Sequence, residues 1–410
     1  MRKIKPELVS PAGDWPSLRA AVENGADSVY FGIKGLNMRH QAANFDLYEI
    51  KKVMAFLRVQ KRKGYLALNV IVMNQELGKV EKALQEAKRA KVDAVILWDK
   101  AVFSLAKKLK LRIHLSTQES VSNTESVRFY AHLGVKRIVL ARECTLADIQ
   151  QIVRELKKEK IHCQIEAFIH GAMCVSISGR CFLSQDAFGR SANKGDCLQP
   201  CRREFTIKDM DRESEYILGQ DYLLSPKDLC TIDFLDELID SGIDAFKIEG
   251  RMRSPEYVGV TTSVYRQALD AFNQGQFTSQ LKKKLKEELR SVYNRGFSNG
   301  FYFGEPKKVL ARNLEHTHEK VFLGEVRKFY KKIFVADIMI RNASLKRGDQ
   351  ILFIGKNTPA YQTTADELQD NHRSIEEALK GSPVGVKLPF VVRPKDKVFL
   401  WKKKQGISSR

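Results

Sequence analysis

Eight short apolar runs, each followed by a longer amphipathic stretch, set the narrowest limit on how this 410-residue chain can fold. The runs are Glu7–Ser10, Ser28–Gly32, Tyr65–Val72, Ala94–Trp98, Arg112–Ser116, Arg137–Ala141, Gln164–Ile169 and Ala245–Gly250. They hold four to eight residues, are rich in Val and Ile, and alternate with Lys/Glu-rich stretches such as LGKVEKALQEAKRAKV. That alternation predicts parallel strands in βα units. Eight units are the count of a TIM-type barrel, whose sites lie at the C-terminal ends of the strands. A doubly wound sheet is the alternative, but no GxGxxG follows the first run. From about His318 the pattern changes to short alternating strands such as KVFLGEVRKF and KIFVADIMIR, separated by turn residues. The expectation is an α/β barrel domain over residues 1–306 that carries the functional site, then a small antiparallel β-barrel domain over residues 317–402.

Charge narrows the class of partner. A formal net charge of +21 points to a polyanion, nucleic acid first and an anionic membrane surface second. From Thr317 on, 19 Lys and Arg face 10 Asp and Glu, so the second domain is the more basic per residue. Arg327, Lys328, Lys331, Lys332 and Lys402–Lys404 make it a candidate nucleic-acid docking module, with simple structural capping as the alternative. The N-terminal MRKIKPELVS has no apolar run of signal-peptide length, and no window reaches the ~18 apolar residues of a membrane span. A cytoplasmic protein without a membrane partner is expected. Seven cysteines in such a chain argue for ligands or redox chemistry rather than a disulfide scaffold.

The cysteines concentrate in one place. Cys174, Cys181, Cys197 and Cys201, with Cys230 beyond, follow the run ending at Ile169 in a C-x6-C-x15-C-x3-C-x28-C pattern. Glycines and polar residues separate them, which lets the backbone fold several sulfurs onto one centre. Buried inert thiols are the alternative, yet these sit among Gly, Arg, Lys and Asp, which favours ligation of a metal or cluster. Polar residues also gather at the strand exits, among them Ser10, Tyr30, Asn69, Ser116, Gln118, Arg142, Glu143, Glu166, His170, Glu249 and Arg251. The loop NMRHQAANFD, with Arg39, His40 and Asn44, reads as plain surface, and Thr145 before LADIQ reads as a helix N-cap.

At EAFIHGAMCVSISGRCFLS the chain resembles the U32 (collagenase-like) peptidase family, whose signature is E-x-F-x-x-G-[AS]-x-C-x4-G-x-C-x-x-S. Glu166, Phe168, Gly171, Ala172, Cys174, Gly179, Cys181 and Ser184 meet it. ELVSPAGDWPSLRAAVENGADSVYFG, GDCLQPCRREF and SPKDLC…KIEGRMRSPEYV extend the resemblance over nearly the whole chain. It is similar in domain plan to the branch that hydroxylates carbon 5 of the tRNA wobble uridine by a prephenate-dependent, oxygen-independent route. The resemblance implies an RNA-modifying hydroxylase with tRNA as partner, a prephenate-derived donor, and a second U32-family protein as a candidate further partner. It implies a [4Fe–4S] cluster on Cys174, Cys181, Cys197 and a fourth ligand, with Cys201 the first choice and Cys230 the second. Zinc on the same thiolates is the chemical rival. The spacing is not the C-x3-C-x2-C of radical-SAM enzymes, because position 204 is glutamate. Glu166 and His170 are candidates for moving protons, Glu249 for lining the pocket, and Arg251 for pairing with a donor carboxylate. Two rival functions stay open. One is a peptidase using Cys174 with His170; the other is a non-catalytic RNA-binding or cluster-carrying protein.

Overall fold

A computed structural model describes residues 5–203, 206–208, 215–217, 225–304 and 315–404. The expected domain boundary at residue 306 falls outside the described residues. All eight apolar runs become barrel strands: β1 (Glu7–Ala12), β2 (Ser28–Gly32), β3 (Lys63–Ala67), β4 (Ala94–Leu97), β5 (Ile113–Leu115), β6 (Arg137–Val139), β7 (Gln164–Gly171) and β8 (Ala245–Ile248). Each pairs in parallel with the next, and β8 pairs with both β7 (Ala245↔Glu166) and β1 (Glu7↔Ala245). The sheet is therefore closed, and the doubly wound alternative is excluded. The third run is longer than its strand: β3 ends at Ala67, and Leu68–Val72 leave the barrel as a loop.

The helices form where amphipathic stretches meet good caps. Those outside the cysteine loop are α1 (Trp15–Glu23), α2 (Ile50–Val59), α3 (Leu77–Arg89), α4 (Lys100–Lys108), α5 (Thr124–His132), α6 (Leu146–Lys158), α7 (Leu235–Asp240), α8 (Pro255–Asn273) and α9 (Ser279–Ser291). Asp14, Asp99, Asn123 and Thr278 accept backbone N–H groups at their N-termini. Thr145 and Asp148 cap α6 reciprocally, as its sequence predicts. In α6 the residues Leu146, Ile149, Ile152, Val153 and Leu156 recur at helical spacing and are buried against the sheet, while Lys157 and Lys158 complement the C-terminal dipole.

Inside the barrel, apolar side chains (Val9, Tyr30, Tyr65, Ala67, Ala94, Ile96, Ala245) pack together. A buried ionic layer runs among them, with Ala245 level with both Glu7 and Glu166. Arg137 donates to Glu7 (3.0 Å) and to Glu166 (3.1 Å), and Lys247 donates to Glu166 (2.7 Å). Opposite charges in contact offset the desolvation that either would suffer alone.

Between β7 and β8 the chain makes its long excursion through the cysteines. It includes a short strand, Asp228–Cys230, that pairs antiparallel with the end of β7. Beyond the barrel, β9 (His318–Tyr330), β10 (Val335–Ile340), β11 (Gln350–Ile354), β12 (Tyr361–Thr364), β13 (Leu368–Asp370), β14 (Arg373–Ser374), β15 (Pro383–Lys387) and β16 (Lys397–Lys403) form a curled antiparallel sheet in the order β12-β11-β16-β9-β10-β15-β13-β14. It has its own core around Leu323, Ile338, Phe353, Val386 and Leu400. Its other face sends Leu352 and Trp401 into the barrel's core. No described helix is long and apolar enough to cross a membrane.

Candidate active site

The loops leaving the strand C-terminal ends enclose a cavity of about 210 Å³. Four of them meet in pairs through backbone positions that admit no side chain. A Cβ on Gly13 would stand 2.0 Å from the Arg251 carbonyl oxygen, and one on Gly195, at φ +80°, would stand 2.2 Å from that of Asn37. Glycine at these two places lets the β1, β2, β8 and cysteine loops close on one another. The His40 N–H donates to the Gly195 carbonyl (3.0 Å) and fastens the β2 loop to the cysteine loop.

The charges of the cavity are one-sided. Among the described residues Arg39, Arg142, Arg202, Arg251, Arg253 and Lys247 line it, against a single carboxylate, Glu249. Arg39 donates to Glu249 Oε1 at 3.1 Å, and Arg142 stands 3.7 Å from Oε2 while lying over the Phe168 ring. Burial alone would push the Glu249 carboxyl up, but Arg39, Arg142 and Arg251 outweigh it and hold the pKa at about 2. Tyr30 donates to the Ile248 carbonyl (2.9 Å), and burial followed by the Glu249 charge holds its phenol protonated. Arg251 donates from Nη1 to Asn37 Oδ1 (3.0 Å), while its Nε is buried without a partner among the described residues, as is the Nε of Arg202. Buried guanidinium donors without a partner are costly. An anionic ligand would satisfy them.

Cys174, Cys181, Cys197 and Cys201 all line this cavity. Three of the sulfurs accept a backbone N–H from two residues on: Ser176 to Cys174 (3.5 Å), Leu183 to Cys181 (3.4 Å) and Gln199 to Cys197 (3.3 Å). At Cys197 the Gln199 N–H favours the thiolate. Burial works the other way, raising Cys197 and carrying Cys201 to about 11, with the neighbouring thiols adding to both. As bare side chains these two sulfurs are therefore protonated thiols, and a bound cation would make them thiolates. Soft donors at this number fit an iron–sulfur centre or zinc. Among the described residues no three His, Cys, Asp or Glu side chains are grouped so that they could hold a metal ion.

Several sequence candidates lie elsewhere. Cys230 is buried under the Tyr265 hydroxyl, which approaches its sulfur at 3.9 Å, and it does not line the cavity. Glu166 belongs to the ionic layer inside the barrel, with Lys247 between it and the cavity. His170 is off the cavity as well. Strict alternation along β7 would turn it inward with Glu166 and Phe168, but the register slips there: Lys247 pairs with Phe168 and Ile248 with His170. The extra residue rotates His170 toward α8, where it stacks near Tyr257 and Tyr265. Burial, then the Arg253 charge, lowers its pKa to about 3, so it is neutral at ordinary pH. Glu249 and Arg251 do line the site. The β2 loop is not plain surface: Arg39 and Asn44 turn inward, and His40 alone of the three is exposed. Lys247, Arg202 and Arg253 are the cavity cations that sequence reasoning missed, and Lys247 is the one with a legible signal. Its lone cation in the apolar run AFKIEG was the available signal, because a cation inside a barrel strand needs an inward partner.

These loops make a barrel protein with a cationic, thiol-lined site at the strand C-terminal ends. The chain belongs to Peptidase family U32, whose family model matches residues 13–312. It is 44% identical over 403 residues to an uncharacterized protease of Methanocaldococcus jannaschii, covering 97% of this chain and 98% of that protein. It is 35% identical over 408 residues to a collagenase of Porphyromonas gingivalis, again 97% and 98% of the two chains. A tRNA hydroxylation protein of Bacillus subtilis is 34% identical over 374 residues, 89% of this chain and 87% of its own.

Proposed function

We propose that this protein hydroxylates an RNA base, the tRNA wobble uridine at carbon 5, with Cys174, Cys181, Cys197 and Cys201 holding a [4Fe–4S] cluster. The observation that carries the proposal is the convergence of four thiols with an arginine-lined, almost acid-free cavity. RNA hydroxylation is the activity in the name of the Bacillus relative. The cluster would supply redox or Lewis-acid chemistry toward an oxygen donor. The chain's own residues would do the rest. Arg251 and Arg202 offer donors for the carboxylates of a prephenate-type ligand. Arg39 and Arg142, fixed by Glu249, set the orientation of that anion. Asn69 and Gln118, bonded to one another at 3.0 Å, offer amide groups of the kind that read a base edge.

The collagenase name of another relative points to a peptidase. That reading needs a thiolate with a histidine base at its side. No histidine lines the cavity, and His170 is neutral and turned toward α8. The site therefore supports RNA hydroxylation better than proteolysis. Anaerobic purification with iron, sulfide and zinc analysis tests the proposal. About four irons and four sulfides per chain are expected; about one zinc and no sulfide would overturn the cluster.

A further inference from the structure

The curled sheet carries a feature that the site does not use. Strand β9 outlasts its neighbour β16, whose pairing with it ends at Glu325↔Lys397, while pairing with β10 continues to Tyr330↔Val335. The end of the β9–β10 hairpin, Arg327 to Phe334 with its turn at Lys331–Phe334, therefore has a free edge along β9, while β10 stays paired with β15 through Val335↔Lys387. Its side chains alternate in an unusual way. Arg327, Lys328, Lys331 and Lys332 are exposed, and of these Arg327 faces a carboxylate, Asp337, at 3.6 Å. Between them Tyr330, Ile333 and Phe334 are 42%, 61% and 43% exposed, although the adjacent Phe329 packs on the sheet's own core. Lys328 lies 4.8 Å from the centre of the Tyr330 ring. Phe334 holds φ +54°, a conformation that bulky residues seldom adopt, and its carbonyl accepts from Leu388 N–H at 2.8 Å.

Lysines on a free edge discourage sheet-to-sheet pairing. That purpose does not call for three large apolar side chains in water beside them. Cations interleaved with aromatic faces suit a strand of nucleic acid, whose phosphates meet the lysines and whose unpaired bases stack on the rings. The surplus of cations over acids from Thr317 on supplies the matching charge. We infer that the hairpin arm Arg327–Phe334 is a docking element for single-stranded RNA. Lys331 and Lys332 would lie on phosphates, and Tyr330 and Phe334 beneath bases. The inference rests on the RNA reading of the site and adds where the RNA is held outside the cavity.

The test uses the full chain and unmodified tRNA, with affinity measured by fluorescence anisotropy across a salt series. Replacing Lys331 and Lys332 by Gln removes two phosphate contacts. The slope of log affinity against log salt should fall by about 1.4 to 1.8, and binding at 0.15 M salt should weaken roughly tenfold. Tyr330→Ala with Phe334→Asn, the latter keeping a residue that tolerates positive φ, should weaken binding at least about fivefold with the slope unchanged. The Lys331 and Lys332 variant should melt with the wild type, because both side chains are exposed; Phe334 also meets Phe329 edge-to-face at 5.9 Å, so binding by the aromatic variant is measured well below its own melting temperature. Wild-type binding with unaltered affinity and slope in both variants would overturn the hairpin's role and leave the RNA reading intact. A wild-type chain that binds no RNA at any salt would instead overturn the reading beneath it. Loss of binding to phosphatidylserine vesicles with tRNA binding retained would make the arm a membrane contact and refute the proposal.

Discussion

Glu166→Gln probes the ionic layer that supports the floor of the site. Glu166 is 1% exposed and takes hydrogen bonds from both Arg137 and Lys247. After the substitution Arg137 still has Glu7 and Gln164. Lys247 has no such reserve, since Glu166 is its one hydrogen-bond partner among the described residues. Removing one member of a buried pair costs about 3–5 kcal/mol, and the retained amide oxygen places this case near 3 kcal/mol. The sign of the pH dependence follows from Lys247. Burial lowers its pKa below the usual 10.5, and Glu166 is the first counterweight. Without that charge the folded-state pKa drops further, so between it and 10.5 the unfolded chain binds more protons and stability rises with pH. Urea denaturation at pH 6, 7.5 and 9 should show a deficit of about 3 kcal/mol that shrinks toward pH 9. Adding Lys247→Met should restore most of it at pH 6. A deficit below ~1 kcal/mol, the scale of a solvent-exposed ion pair, or one that is flat with pH and not repaired by Lys247→Met, would refute the reasoning.

Other consequences follow from the same geometry. Gly195→Ala places a Cβ against the Asn37 carbonyl at positive φ, so it should separate the cysteine and β2 loops and lower iron content while the barrel's far-ultraviolet circular dichroism is kept. His170→Phe should leave RNA hydroxylation and its pH profile unchanged between pH 5 and 8, because a histidine with a pKa of about 3 does not titrate there; complete loss with the fold intact would restore it to the chemistry. Glu249→Gln removes the carboxylate that neutralises Arg39 and Arg142, so sulfate should raise the melting temperature more in the variant than in the wild type. The Glu249 carboxylate stabilises fully above the ordinary carboxylate range and loses its effect only as pH falls toward 2, so the difference should hold from pH 6 to 8.

The barrel was legible because strands buried on both faces must be written in Val, Ile and Leu, and because the stretches between them repeat at helical spacing. The sheet beyond Thr317 was legible through its alternation. The four cavity cysteines could be read as a group because they share one Gly-rich loop after β7. Residue types do not encode which way a strand end turns. His170 follows the inward face of β7 until one extra residue rotates it outward, and only the register against β8 reveals that slip. Arg39 sits in a polar loop whose composition is that of solvent-facing surface, yet Glu249, 210 residues away, draws it inward. Cys230, unlike the other ligand candidates, ends a strand, and that strand pairs antiparallel with the end of β7 and delivers it to α8 instead of the cavity.

The central claim is that the thiol-lined cavity modifies RNA. Mass spectrometry of tRNA nucleosides tests it most directly, comparing a host lacking its own activity with and without this protein, and with Cys197→Ser. The account predicts 5-hydroxylated uridine, or products derived from it, only with the wild-type chain. Its absence despite a fully loaded, folded protein, or its persistence in Cys197→Ser, would contradict it.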